Sequence, residues 1–213
     1  MFKMYGFWRS AAAFRVRAAL NLKGLTVEET MIDLDAGEQN APAFLAVNPA
    51  AAVPALFVDG GPPLTQSLAI LEYLEELYPE PALLPAGARA RARVRALALS
   101  FAADHHPLIV PRVRRHLATA FGVGHTDWVR HWFREGLAQG EARLAGDPAV
   151  GRFCHGDSPT IADLCLMSHV TGAQGFQVFP ADYPTIDRIF TACMEIDAFA
   201  KAAPLRQPGA PHS

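Results

Sequence analysis

Cysteine is scarce, with Cys154, Cys165 and Cys193 the only three in 213 residues and none in the first half of the chain. Their odd number and wide spacing exclude a disulfide framework and any CxxC redox or zinc pair, so a reducing compartment, the cytoplasm, is expected and a metal site is not. A surplus of charge is missing as well. Nineteen Lys and Arg against 21 Asp and Glu leave a formal net charge of −2, which provides no global field to gather nucleic acid or an anionic membrane. Long apolar runs are also absent: Arg, Asp or His interrupts each one well short of the roughly 20 residues of a membrane span. Lys3, Arg9 and Ser10 break up the amino-terminal segment, so no secretion signal is expected there. The expected partner is a small molecule, with neither nucleic acid nor membrane involved. What the chain does have is 51% hydrophobic residues, enough to bury one large or two small cores.

The apolar patterning changes character along the chain. Phe2 to Phe7 reads as a short strand, Ala11 to Lys23 as a helix ended by Gly24, and Thr26 to Leu34 as a second strand, which together make a right-handed βαβ unit. A loop from Asp35 to Pro49 contains the short apolar piece Phe44 to Val47. Val53 to Val58 then reads as a strand whose proline sits at its start, where no ladder donor is needed. Gly60-Gly61-Pro62-Pro63 turns the chain into Leu64 to Gln66, and Ser67 is expected to cap a helix from Leu68 to Tyr78. After the Pro-rich stretch Pro79 to Pro85 the pattern is helical: Ala90 to Ala103, Leu108 to Ala120, Thr126 to Leu144, Ile161 to Thr171 and Thr185 to Ala200. Pro204 to Ser213 reads as a loose tail.

Ser10 stands where a strand meets a helix start, so its hydroxyl either caps the helix or presents itself to a ligand beside unsatisfied backbone N–H groups. A thiolate held there is stabilised by the hydrogen bond and by the helix field, which lowers a thiol pKa toward neutrality. Gln66-Ser67 offers an amide, a hydroxyl and a helix amino terminus, a cradle for a carboxylate as much as a simple cap. Thr160-x-x-Asp163 ahead of an apolar run has the spacing of a capping box and reads as structural. Arginine grips carboxylates bidentately, which makes Arg9, Arg112, Arg114 and Arg115 candidate diacid contacts; Arg91, Arg93 and Arg95 read as a solvated helix face.

The segments Phe7-Trp8-Arg9-Ser10, Arg15-Val16-Arg17, Asn48-Pro49, Val53-Pro54-Ala55-Leu56, Gln66-Ser67 and Gly156-Asp157-Ser158-Pro159-Thr160-Ile161-Ala162-Asp163 occur in an order and spacing that resemble zeta-class glutathione transferases, in particular bacterial glutathione-dependent maleylpyruvate isomerases. The resemblance covers nearly the whole chain. It implies an α/β plus all-α fold, with a thioredoxin-like βαβ-ββα glutathione-binding domain over residues 1–80, an all-helical substrate-binding domain over 89–213, and a homodimer. It further implies that Ser10 holds the glutathione sulfur, that Val53-Pro54 is cis and offers the Val53 backbone to the cysteinyl unit, and that Gln66 and Ser67 take the γ-glutamyl carboxylate. Gln39 matches a position reaching the glycine end, and His106 one facing the ligand cleft. Arg9 and Arg112 match substrate-carboxylate positions, Arg9 acting beside Ser10 in catalysis.

The chain departs from the resemblance at Ala11 and Ala12, where relatives carry polar side chains near the sulfur. It departs again at Ile109-Val110 in place of paired asparagines, and at Gln174 or Gly175 in place of an arginine before Phe176. The implied activity is cis–trans isomerisation of a maleyl diketo acid in aromatic catabolism. Conjugation of glutathione to apolar electrophiles is one alternative, and a non-catalytic glutathione- or protein-binding module is another.

Overall fold

Burial alternates along β1 (Phe2–Gly6), with Phe2, Met4 and Gly6 inside and Lys3 out, as the two-residue period of a half-covered strand requires. β2 (Val27–Met31) runs parallel to it, Phe2 opposite Val27 and Gly6 opposite Met31. β3 (Ala55–Phe57) is antiparallel to β1 with Tyr5 opposite Ala55, and β4 (Leu64–Thr65) is antiparallel to β3 with Ala55 opposite Thr65. The sheet order is therefore β2-β1-β3-β4. The structure, a computed structural model, describes residues 2–211. Its contacts divide the chain into Met1–Pro81 with Asp197–Ser213, and Ala82–Ile196.

In the first unit, α1 (Ala11–Leu22) connects β1 to β2 and is buried from Ala13 to Leu20. The loop after β2 contains a 3-10 turn at Glu38–Asn40 and the one-turn helix α2 (Pro42–Leu45), structure that the expected plain loop did not include. Phe44 joins Phe7 and Val53 in a small apolar cluster flanked by Tyr5, Trp8, Ile32 and Leu34. α3 (Ser67–Leu77) buries Ile70, Leu71 and Leu74. The expected strands run past the observed ones, at both ends for β2 and β3 and at the carboxyl end for β1 and β4, where Gln66, expected to close a strand, has φ 68°. Ser67 does not cap α3 as expected. It is the first helical residue, and Gln66 holds the cap position with no side-chain cap hydrogen bond.

The second unit is helical. α4 (Ala88–Leu99) runs into a π-helical turn at Ser100–His105, then α5 (His106–Ile109) and, past an extended Val110, α6 (Pro111–Phe121). The continuous helix expected over Leu108 to Ala120 is broken there because Pro111 disfavours helical geometry in the residue before it. α7 (His125–Leu144), α8 (Ile161–Gln174) and α9 (Pro184–Met194) complete the bundle. Gly136 lets α7 pack tightly: a Cβ there would lie 2.5 Å from His169 Nε2. Asp163 accepts hydrogen bonds from the Thr160 N–H, the Thr160 hydroxyl and the Cys154 N–H, each at 2.8 Å. Burial raises its carboxyl pKa.

The helix expected over Thr185 to Ala200 is two helices, and the second, α10 (Asp197–Ala202), groups with the first unit. Residues 197–211 thus leave the helical domain assigned to 89–213. Ala198, Phe199 and Ala202 are buried, α10 packs on α1, and Asn21 Nδ2 donates to the Ala198 carbonyl at 3.0 Å. The tail expected to be loose forms a 3-10 turn at Pro204–Arg206, with Gln207 Nε2 donating to the carbonyls of Lys201 and Ala203; His212 and Ser213 of that tail lie outside the described residues. Among the described residues no helix is long and apolar enough to cross a membrane.

Candidate functional site

Sheet register gathers the predicted residues of the first unit. β1 and β2 are parallel while β3 runs against β1 and β4 against β3. The carboxyl ends of β1, β2 and β4 and the amino end of β3 therefore share one end of the sheet. That end carries Arg9 and Ser10 after β1, Gln39 in the loop after β2, Val53-Pro54 before β3, and Gln66-Ser67 after β4. Phe7, Val53 and Phe44 form its apolar floor.

Ser10 closes the turn after β1, its N–H donating to the Phe7 carbonyl at 3.0 Å. Its Oγ accepts from the Ala13 N–H at 3.2 Å, so it is a true N-cap. The hydroxyl proton has no acceptor among the described residues and is available to a ligand. The first N–H groups of α1, at Ala11 and Ala12, have no intrahelical partner and add positive potential at the same point.

Val53-Pro54 is a cis peptide. Among the described residues, no hydrogen bond engages the Val53 N–H or C=O, although Val53 is buried. An unpaired backbone donor and acceptor at a sheet margin is the geometry that takes an added extended peptide. Gln66 exposes its side chain and holds a left-handed φ of 68° that only glycine adopts freely. Ser67 is buried at the first position of α3, where free N–H groups suit a carboxylate. Gln39 is buried, donates weakly to the Leu34 carbonyl at 3.5 Å and leaves its Oε1 without a partner.

Arg9 is exposed, ion-paired with Asp35 and stacked 5.6 Å from the ring centroids of both Phe7 and Trp8. Asp35 was not visible as its partner from sequence, since the two are 26 residues apart. Arg17 and Glu29 were missed as a pair for the same reason. Arg17, like Arg15, is a charged residue in a largely apolar helix that is buried from Ala13 to Leu20, and a buried charge calls for a partner, which was the available signal.

His106 and Arg112 lie in the second unit, His106 half-buried at the start of α5 and Arg112 exposed in the first turn of α6. Arg112 has no ion pair among the described residues. Arg114 is turned instead over the Phe176 ring, 5.5 Å from its centroid, and Arg115 is exposed. Ile109 is buried. The three cysteines are buried and free, and burial pushes the Cys154 and Cys193 thiols up, away from the reactive thiolate.

A family profile described as Glutathione S-transferase, N-terminal domain matches residues 1–76, which contain every candidate just described in the first unit. The fold and this sheet-end site thus fall in the class of glutathione transferases. A maleylpyruvate isomerase of Ralstonia sp is 46% identical, covering 97% of this chain and 98% of its own. The solved structure of a maleylacetoacetate isomerase from Methylobacterium extorquens AM1 with bound malonate and glutathione is 55% identical with a TM-score of 0.96, covering 99% of this chain and 100% of its own. A maleyl pyruvate isomerase structure described as a bacterial zeta-class glutathione transferase is 45% identical with a TM-score of 0.94, covering 98% of this chain and 100% of its own. The chain belongs to the zeta-class glutathione transferase family.

Proposed function

We propose that this chain catalyses the glutathione-dependent cis–trans isomerisation of a maleyl keto acid, with maleylpyruvate or maleylacetoacetate as substrate, as a step of aromatic catabolism. The observation that carries the reading is the unpaired Val53 N–H and C=O at the sheet end that also presents the free Ser10 hydroxyl proton and the start of α3. These groups fit glutathione in order. The γ-glutamyl carboxylate suits Gln66, Ser67 and the N–H groups of α3, the cysteinyl backbone suits Val53, and Gln39 lies toward the glycine end. When bound, glutathione supplies a thiolate that adds reversibly to the cis double bond and lets the resulting single bond rotate before it leaves.

The chain's own contribution is placement and charge. Ser10 donates to the sulfur and keeps it ionised, aided by the Ala11 and Ala12 N–H groups. Arg9 and Arg112 receive the substrate carboxylates, Arg112 being free to do so and Arg9 exchanging Asp35 for the ligand. The relative solved with bound malonate and glutathione supports a dicarboxylic substrate. His106 is the helical unit's candidate for a ligand contact in this reading. The first unit binds glutathione, and the helical unit provides the substrate side. Free, buried cysteines suit the cytoplasm, and a homodimer follows from the family reading.

A second reading, conjugation of apolar electrophiles, is favoured by one observation: the buried Ile109 and its neighbour Val110 put apolar side chains just after His106 in the helical unit. Assaying wild type and Ser10→Ala with maleylpyruvate and with an apolar aryl halide separates the two. The isomerase reading expects rapid loss of the cis acid and a fall on the order of 100-fold in kcat/KM in the variant. Consumption of the aryl halide alone overturns it.

A further inference from the structure

The turn that carries Ser10 is held from beneath by a buried ion pair. Arg17, on the second turn of α1, donates through Nη2 to the Phe7 carbonyl at 2.9 Å and through Nη1 to the Trp8 carbonyl at 3.5 Å. Its Nε and Nη2 grip the Glu29 carboxylate of β2 at 2.7 and 2.6 Å. The two side chains are 4% and 12% exposed. Burying such a pair is costly unless further hydrogen bonds complete it, and the two carbonyls that complete it belong to the residues just ahead of Arg9 and Ser10. Space for the pair comes from Gly6, where a Cβ would lie 1.8 Å from Glu29 Oε1 and 3.1 Å from Arg17 Nη2.

The same turn closes on itself through the Ser10 N–H to the Phe7 carbonyl. The Phe7 oxygen is therefore shared between Arg17 and the Ser10 backbone. An unsupported turn would rely on that single bond and the Ala13 cap to aim the Ser10 hydroxyl. With Arg17 in place, four elements, β1, β2, α1 and the turn, fix its direction.

We propose that Arg17, oriented by Glu29, is a positioning residue for Ser10: it locks the Phe7–Ser10 turn so that the hydroxyl meets the glutathione sulfur. The proposal rests on the reading of Ser10 as the sulfur's partner. Arginine is required for its fork. Lysine satisfies the Glu29 charge but cannot hold two carboxylate oxygens and two carbonyls at once.

The test compares wild type, Arg17→Lys and Ser10→Ala by the ultraviolet absorbance of bound glutathione thiolate against pH, by kcat and KM with maleylpyruvate, and by amide hydrogen exchange of the protein without glutathione. Arg17→Lys is expected to move the thiolate titration upward by about one pH unit. It is expected to lower kcat roughly tenfold while changing the KM for glutathione less than about threefold, and to speed exchange at the Ser10 and Ala13 amides about tenfold. A folded Arg17→Lys with wild-type titration and kcat, when Ser10→Ala shifts both, overturns the positioning role and leaves Ser10 intact. If Ser10→Ala leaves the titration unchanged, the sulfur assignment falls and the proposal falls with it. Where Arg17→Lys does not fold, Glu29→Gln replaces it, since the amide keeps the shape and loosens the grip. A smaller upward shift of the titration supports the proposal, and none overturns it.

Discussion

Gln66 holds its φ of 68° at the mouth of α3, a conformation that costs a side-chain-bearing residue about 1–3 kcal/mol. Replacing it by glycine relieves that cost and adds about 0.5–1 kcal/mol of unfolded-chain entropy, so Gln66→Gly is expected to unfold at the same or a slightly higher urea concentration. Loss of its amide should meanwhile raise the KM for glutathione at least about threefold, the weight of one modest hydrogen bond. A variant that loses stability and keeps its KM contradicts a binding role. Gly6 makes the opposite case. Alanine there drives a methyl group into the Glu29 carboxylate, and Gly6→Ala is expected to lower the unfolding free energy by about 1–3 kcal/mol, read as a drop in the urea midpoint. At this scale some chemistry was legible in the sequence and some was not. Ser10 and Gln66-Ser67 announce themselves by standing at strand-to-helix junctions. Asp35 and Glu29, which neutralise Arg9 and Arg17, do not, because strand order rather than local spacing brings them across.

Helix α8 shows what one side chain does for an element. Asp163 ties the Thr160 N–H and hydroxyl, and the Cys154 N–H of the loop ahead, to its own helix. Asp163→Ala therefore leaves buried donors unpaired and is expected to cost about 3 kcal/mol or more, seen as a lower thermal midpoint. The Thr160-x-x-Asp163 spacing made this box readable in advance. The split of the last expected helix was less readable, since periodicity continues from α9 into α10 while the partner changes.

The tie between α4 and the loop after α7 adds a pH dependence. The Ala149 N–H, and after it Arg93, holds the Asp147 carboxyl below the usual carboxylate range. Such a group stabilises the fold above its unfolded pKa, and the contribution is lost as pH falls through the folded value. The stability difference between wild type and Asp147→Asn is thus expected to be constant above about pH 5 and to shrink below about pH 4, measured by urea unfolding across that range. A difference independent of pH contradicts the assignment.

Across the whole molecule, the order of strands and helices was legible because βαβ, connection, ββα followed by helices admits few arrangements. The unit to which the chain's end belongs was not, because α10 docks on α1 through Ala198, Phe199 and Ala202, a contact between residues nearly the full length of the chain apart. The same fold serves both isomerases and conjugating transferases, so function rests on the site rather than on the architecture. The two activities differ in one countable quantity, glutathione. The most direct measurement follows maleylpyruvate, its fumaryl isomer and free glutathione together by proton NMR through many turnovers. The account predicts stoichiometric conversion of cis to trans acid at constant glutathione and none when glutathione is omitted. One glutathione consumed per molecule of acid lost, or conversion unaffected by its removal, would contradict it.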